Sequence, residues 1–385
     1  MINPNIIIVG DLFPTESNQD YYKKGDINAL FGEKICKLFA NASLSICNLE
    51  GALTDHTERS IKLGPVLTAP TSVISAYKKL GVDICLLANN HVTDAGNVGV
   101  IDTINALEKE CINYLGAGVN DSSIKKNYFC ELGGVKIVIY NVCERIFNKP
   151  TQNSGGAWLY DEYIVCREIK ELKRKCEYLI VVYHGGIEQF RYPSPENKKR
   201  FHRMADSGAD MVLSQHTHCI GCEEWYNGSY LLYGQGNFLF RDIRPGQTDE
   251  GMIIEIQFVN GKANVYKHLV KSKDKMFVRY DEHQDLSAFF SRSEKLRDNI
   301  YVNKLFQEFC KERLNKYLES CKRPSFTERI IRKFFPELFH NKYIYKSFEK
   351  RHLLTILHTL RSEQKREETI AGLEQLMEEM NINIM

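Results

Sequence analysis

Five short apolar runs, each ending in side chains able to bind a metal or move a proton, constrain this chain more than any other feature. Residues 6–9 run into Gly10-Asp11, and residues 43–47 into Asn48-Leu49-Glu50. Residues 82–88 lead to Asn89-Asn90-His91, 178–183 to His184-Gly185-Gly186, and 210–215 to His216-Thr217-His218. Unbroken apolar runs of this length read as strands buried on both faces, as in sheets covered by helices. Helical spacing over 98–107, a charged helix over 162–175 and a basic helix over 197–205 fall between them, which points to an α/β fold. Such sheets collect their sites at the carboxyl ends of the strands.

Taken singly, each strand end has a plainer reading. Asp11 can serve as an Asx turn or helix cap, Glu50-Gly51 as a turn, and His184 as a satisfied core histidine. Asp94 is placed to cap the helix that follows it. The amides and the histidine of Asn89-Asn90-His91 are harder to explain as packing. His216 and His218, spaced i, i+2, can present two imidazoles to one point. Hairpins are expected over 128–140, around Gly133-Gly134, and over 251–270, around Asn260-Gly261.

Collected, Asp11, Glu50, Asn90, His184, His216 and His218 give two carboxylates, one amide and three imidazoles, with His91 to spare. Carboxylate oxygens with imidazoles suit Mn, Fe or Zn, and the set suffices for two divalent ions about 3.5–4 Å apart. A dication pair beside two carboxylates attracts an anion and activates water to hydroxide, the machinery for attack on a phosphoester.

Composition narrows the alternatives. The chain has 385 residues, a hydrophobic fraction of 43% and a net charge of +2, so nothing global favours a nucleic-acid or membrane partner. No apolar run approaches the roughly 20 residues of a transmembrane helix, and the first residues lack a basic, apolar leader. The twelve cysteines show no repeating spacing, and Cys47, Cys85 and Cys143 lie inside apolar runs. A reducing, cytoplasmic setting is expected.

The ordered motifs resemble the CapA family, the poly-gamma-glutamate capsule synthesis type within the calcineurin-like metallophosphoesterase superfamily. They are Gly10-Asp11, Asn48-Leu49-Glu50, Ala88-Asn89-Asn90-His91 with Asp94 and Gly96, His184-Gly185-Gly186 with Glu188, Gly208-Ala209-Asp210 with His216 and His218, and Gly236-Asn237-Phe238. The resemblance covers about residues 6–270. It implies an α/β fold, a four-layer α-β-β-α sandwich of metallophosphoesterase type, over residues 1–272; beyond it, helical periodicity and high charge give an expected helical extension over 273–385. By the same resemblance Asp11 and His218 hold one ion, Asn90, His184 and His216 the other, and Glu50 bridges. His91, with Asp94 beside it, is then a catalytic non-ligand that assists the leaving oxygen.

Departures accompany the likeness. Phe13 stands where the wider superfamily has a histidine ligand, Gly185 where the family usually has tryptophan, and Cys219 and Cys222 follow the last histidine pair. A single Cys-x-x-Cys lacks the second pair of a structural zinc site, which favours packing. Glu188, Arg191 and Arg241 are the candidate substrate contacts, arginine being suited to gripping an anion. Segment 322–351 carries nine Lys/Arg, three Asp/Glu and seven Phe/Tyr, and 366–385 alternates acidic and apolar residues. Both read as packed or amphipathic helices, with an anionic polymer or membrane surface as the alternative for the basic one.

The expected function is a metal-dependent phosphoesterase acting on an anionic small molecule or polymer in surface-polymer synthesis. The alternative is a non-catalytic subunit working with capsule-synthesis proteins, since a fold does not by itself fix a function.

Overall fold

The computed structural model describes residues 4–57, 59–60, 64–145, 149–240, 249–274 and 276–321, with isolated positions between 353 and 377. Arg241, segment 322–351 and most of 366–385 lie outside the described residues. The chain divides into two compact units, Met1–Asn299 and Ile300–Ile384.

The first unit contains two large sheets. One has eight strands: β1 Asn5–Leu12, β2 Leu44–Leu49, β3 Ile84–Leu86, β4 Asn113–Leu115 and, later in the chain, a short segment Asn237–Leu239 and three strands spanning Glu250–Val259, Lys262–Lys273 and Phe277–Tyr280. The second has six, among them the hairpin β5 Asn127–Leu132 and β6 Val135–Cys143, then β7 Tyr178–His184 and β8 Met211–Gln215. The strands run parallel from β1 through β2 and β3 to β4 at the edge of the first sheet, and across β6, β7 and β8 in the second.

Side-chain alternation explains the layering. On β1, Ile6 and Ile8 enter a core shared with Ile139, Ile180, Val182 and Leu213 of the other sheet. Ile7 and Val9 enter a separate core with Leu30, Phe31, Ile35, Tyr77 and Ile104. The same division recurs on β2, where Ile46 faces the partner sheet and Cys47 the helices. A strand with apolar side chains on both faces has to be covered twice. The helices α1 Gln19–Lys24, α2 Ile27–Ala40, α3 Ile74–Leu80 and α4 Gly96–Lys109 supply the outer layer on the first sheet. On the second sheet, α5 Glu162–Lys173 and α6 Pro195–Asp206 bury Val165, Ile169, Phe201 and Met204. The order is helix, sheet, sheet, helix, the four layers expected.

Local signals set the helix starts. Asp161 caps α5 by accepting from the Ile164 amide, and Ser194 caps α6 ahead of Pro195. Asp94 does not cap α4: Ala95 holds that position without a side-chain bond. Asp94 turns inward instead, as described below. Strand β1 also runs past the expected stop, so Asp11 lies in its last residues, where pairing with β2 slips register. Strand Phe277–Tyr280 extends the first sheet beyond residue 272, and helix α7 Ser287–Lys295 follows it within the same unit. None of the described helices is long and apolar enough to cross a membrane.

Candidate metal centre

The carboxyl ends of β1, β2, β7 and β8, with the corner after β3, bring Asp11, Glu50, Asn90, His91, His184, His216 and His218 together, all but Asn90 buried. Asp11 lies at the floor of this cluster. Its Oδ1 accepts from the Asn48 amide at 2.8 Å and its Oδ2 lies 3.0 Å from His218 Nδ1. The approach of the strands there is tight. A Cβ on Gly10 would stand 2.2 Å from the Gly236 carbonyl oxygen, so only glycine lets β1 lie this close to the 237–239 segment.

Asn48 also reaches His184 Nδ1 at 3.2 Å, and Asn89 holds Asn48 by donating to its carbonyl at 3.1 Å. The other nitrogen of His184 lies 2.8 Å from Asn90 Oδ1 and 3.6 Å from Glu50 Oε1. His218 places Nδ1 at 2.9 Å from Asn237 Oδ1 and Nε2 at 3.9 Å from Glu50 Oε1. The imidazole of His216 sits between the other two, with ring centroids 4.9 Å from His184 and 5.8 Å from His218. Both His216 and His218 have left-handed backbones, with φ of 86° and 53°. The pair is therefore turned inward by a strained loop rather than by strand alternation, a conformation that costs about 1–3 kcal/mol per residue and clusters at functional sites.

Among the described residues, two groups of possible ligand atoms lie within 4.8 Å of one another: Asp11, Glu50 and His184, and Glu50, His216 and His218. Glu50 is common to both. This division differs from the one the resemblance implies, although Asp11 does touch His218 and Asn90 does touch His184.

The residues fit divalent transition metals. Glu50 is fully buried, and neither of its oxygens has a hydrogen-bond partner; His216 Nδ1 is likewise buried and unpartnered. A buried carboxylate facing imidazoles with nothing to satisfy it is costly unless a cation completes it. Burial, and then the charge of Asp11, pushes the Glu50 carboxyl well above its usual range. Burial, and then the neighbouring His216, pushes His184 well below the usual imidazole value, which keeps it neutral as a ligand must be. Burial opposes charge on Asp11 and His218 too, but their mutual hydrogen bond and attraction prevail, lowering Asp11 and raising His218.

His91 belongs to a separate arrangement. Its Nδ1 lies 2.7 Å from Asp94 Oδ2, and its backbone amide donates to Asn89 Oδ1 at 3.0 Å. Asp94 also accepts from the Leu67 amide of a distant loop, which explains why it leaves the cap position. The result is a buried carboxylate that orients an imidazole beside the ligand cluster.

The candidate substrate contacts are dispersed. Glu188 is exposed, yet its charge is felt at Glu50 and His218. Arg191 gives its guanidinium to the Ile220 carbonyl at 2.9 Å and to Glu250 at 2.8 Å. Phe13 fills its place as an apolar residue, its ring occupying the space a Cβ on Gly51 would need. Cys219 and Cys222 are buried free thiols, both pushed up by burial, as packing residues would be. Sequence reasoning gives no role to Asn48, Asn237 or Phe240, which stacks on the His218 ring at 4.8 Å. It also passes over Glu144, whose Oε1 lies 3.5 Å from His216 Nε2.

The profile of the family described as bacterial capsule synthesis protein PGA_cap matches residues 5–242. The chain is 28% identical over 239 residues to a capsule biosynthesis protein CapA of Bacillus anthracis, a match covering 54% of this chain and 58% of that one. It is 26% identical over 222 residues to a probable polyglutamine synthesis accessory protein of Mycobacterium tuberculosis, again covering 54% and 58%. The chain thus spans little more than half the length of these relatives. Among solved structures, a phosphatase from Mycoplasma pneumoniae aligns at 15% identity and a TM-score of 0.43, covering 75% of this chain and 99% of that one. A 5'-nucleotidase precursor from Thermus thermophilus aligns at 11% and 0.40, covering 77% and 60%.

Proposed function

This chain belongs to the bacterial capsule synthesis protein family PGA_cap, and on that premise we propose that it is a metal-dependent phosphoester hydrolase. Its substrate is an anionic intermediate or polymer of surface-polymer synthesis. The observation that carries the reading is Glu50, a fully buried carboxylate with both oxygens unpartnered, facing His184 at 3.6 Å and His218 at 3.9 Å. Asp11, Glu50, Asn90, His184, His216 and His218 hold two divalent ions, Mn, Fe or Zn. When bound, these ions polarise the phosphoryl group and make water nucleophilic near neutral pH.

The chain's own residues do the rest. Asn48 and Asn237 fix Asp11, His184 and His218 in place. Asp94, at 2.7 Å from Nδ1, accepts the proton of that nitrogen, so that the imidazolium of His91 gives its Nε2 proton to the departing alkoxide and returns to the neutral Nδ1–H tautomer. That proton lowers the barrier to ester cleavage, because an alkoxide is otherwise a poor leaving group.

The test is phosphate release by metal-stripped protein reloaded with Mn, Fe(II) or Zn, on sugar phosphates, nucleotides and an aryl phosphodiester. Turnover that requires metal, and that is lost in Glu50→Ala, is expected. Metal uptake without turnover on any of these would favour a second reading, an accessory subunit of polymer synthesis. The accessory-protein name of the Mycobacterium tuberculosis relative lends that reading support.

A further inference from the structure

Glu144 is a carboxylate at the site that neither the motifs nor the mechanism uses. It stands one residue beyond β6, next to Cys143, which pairs with His184, and its amide donates to the His184 carbonyl at 3.0 Å. One carboxylate oxygen accepts from the Gly186 amide at 3.3 Å, and the other lies 3.5 Å from His216 Nε2. The remaining ring nitrogen of His216, Nδ1, is buried and has no partner. An imidazole has only two nitrogens, and here one faces an acceptor while the other is buried without a partner.

We infer that Glu144 is a positioning residue: it accepts the Nε2 proton of His216, fixes that tautomer and leaves Nδ1 to the ion. The inference rests on the two-ion reading of the site. Carboxylates that take the outer proton of a ligating histidine orient the ring and raise its basicity. His218 has a comparable acceptor in the side-chain oxygen of Asn237, whereas Asn48 presents its amide nitrogen, a donor, to His184; His216 is offered a carboxylate from outside the ligand set. The carboxylate retains 23% side-chain exposure, so water can solvate its charge before any ion binds. A contact at 3.5 Å becomes a hydrogen bond with a shift of a few tenths of an ångström.

The test is calorimetric titration of Mn(II) into metal-free wild type, Glu144→Gln and Glu144→Ala, together with ¹⁵N spectra of the imidazoles in the Zn-loaded wild type. One of the two ions should bind about 10- to 100-fold more weakly in Glu144→Ala, with part of the loss restored in Glu144→Gln, which keeps an acceptor oxygen. His216 should appear as the Nε2–H tautomer. If Glu144→Ala does not fold, the Glu144→Gln titration and the wild-type spectrum still decide. Unchanged affinity for both ions in the variants, or a His216 that carries its proton on Nδ1, overturns the role of Glu144 alone. A wild type that takes up no ion overturns the two-ion reading beneath it.

Discussion

The two halves of the site are prepared for a cation in different ways. Around Asp11 and His218 the charges already answer each other: the carboxylate is held low, the imidazole is raised, and Asn48 and Asn237 engage them from either side. At Glu50 and His184 burial prevails, at His184 against the opposing charge of Asp11. Glu50 is driven toward its neutral acid, His184 stays uncharged, and three buried polar atoms of Glu50 and His216 lack partners. The first half can exist without an ion; the second is completed by one. An ion therefore gains most where it meets Glu50 and the unpartnered nitrogen of His216, and that position should fill first and more tightly.

Removing Glu50 attacks both halves at once and carries the largest expected effect. Glu50→Ala should lose metal binding and reduce turnover to background, as measured by calorimetry and phosphate release. His91→Ala comes next, because it spares every ligand. Its ion stoichiometry should match wild type while the rate falls roughly 10²- to 10⁴-fold, the usual extent of general acid–base assistance. An unchanged rate in His91→Ala would remove the proton-delivery role.

Acidity separates the halves. The lowered Asp11 contributes stability to the metal-free protein above about pH 4, lost as pH falls through its folded value; the raised His218 contributes below about pH 6.5, lost as pH rises through its own. The pair is thus most stabilising between those limits, and Asp11→Asn should flatten the dependence of Tm on pH at either side of them. Metal affinity runs the other way. An ion must displace protons from His218 and Glu50, so apparent affinity should climb with pH, by up to about tenfold per unit for each proton released. Titration in buffers of different ionisation enthalpy counts those protons, and a pH-independent affinity would contradict the assignment.

The smallest effect is expected from Gly10→Ala. The added methyl meets the Gly236 carbonyl oxygen and has to push the Asp11 strand away from the Asn237 segment. A stability loss of about 1–3 kcal/mol by denaturant unfolding is expected, with the weaker ion affected more than the tighter one.

Much of this was legible in the chain because strands buried on both faces leave uninterrupted apolar runs, and the chemistry sits where those runs stop. The misses have physical causes. Strand β6 reads as ending at Tyr140 because Asn141 is polar, yet Asn141 is fully buried. Its side chain accepts from the Ala88 amide at 2.9 Å and donates to the Val182 carbonyl at 3.1 Å, tying the two sheets together. With the strand ended early, Glu144 escapes the rule that found Asp11 and Glu50. Asp94 resembles a helix cap until the Leu67 amide, 27 residues away, claims its carboxylate; no local pattern encodes that contact. Helix α2 is broken by Gly32 at a φ of 76°, which interrupts the periodicity that would announce it. The division of ligands between two ions depends on ångström-scale distances that spacing along a chain does not contain.

The most direct measurement of the central claim is metal stoichiometry per chain after stripping and reloading with Mn(II), in wild type and in Glu50→Gln, a variant that preserves side-chain volume. Two ions in the wild type and a loss of both sites' affinity in the variant are predicted. A wild type that binds no ion, or a Glu50→Gln protein that binds two as tightly, would contradict the account.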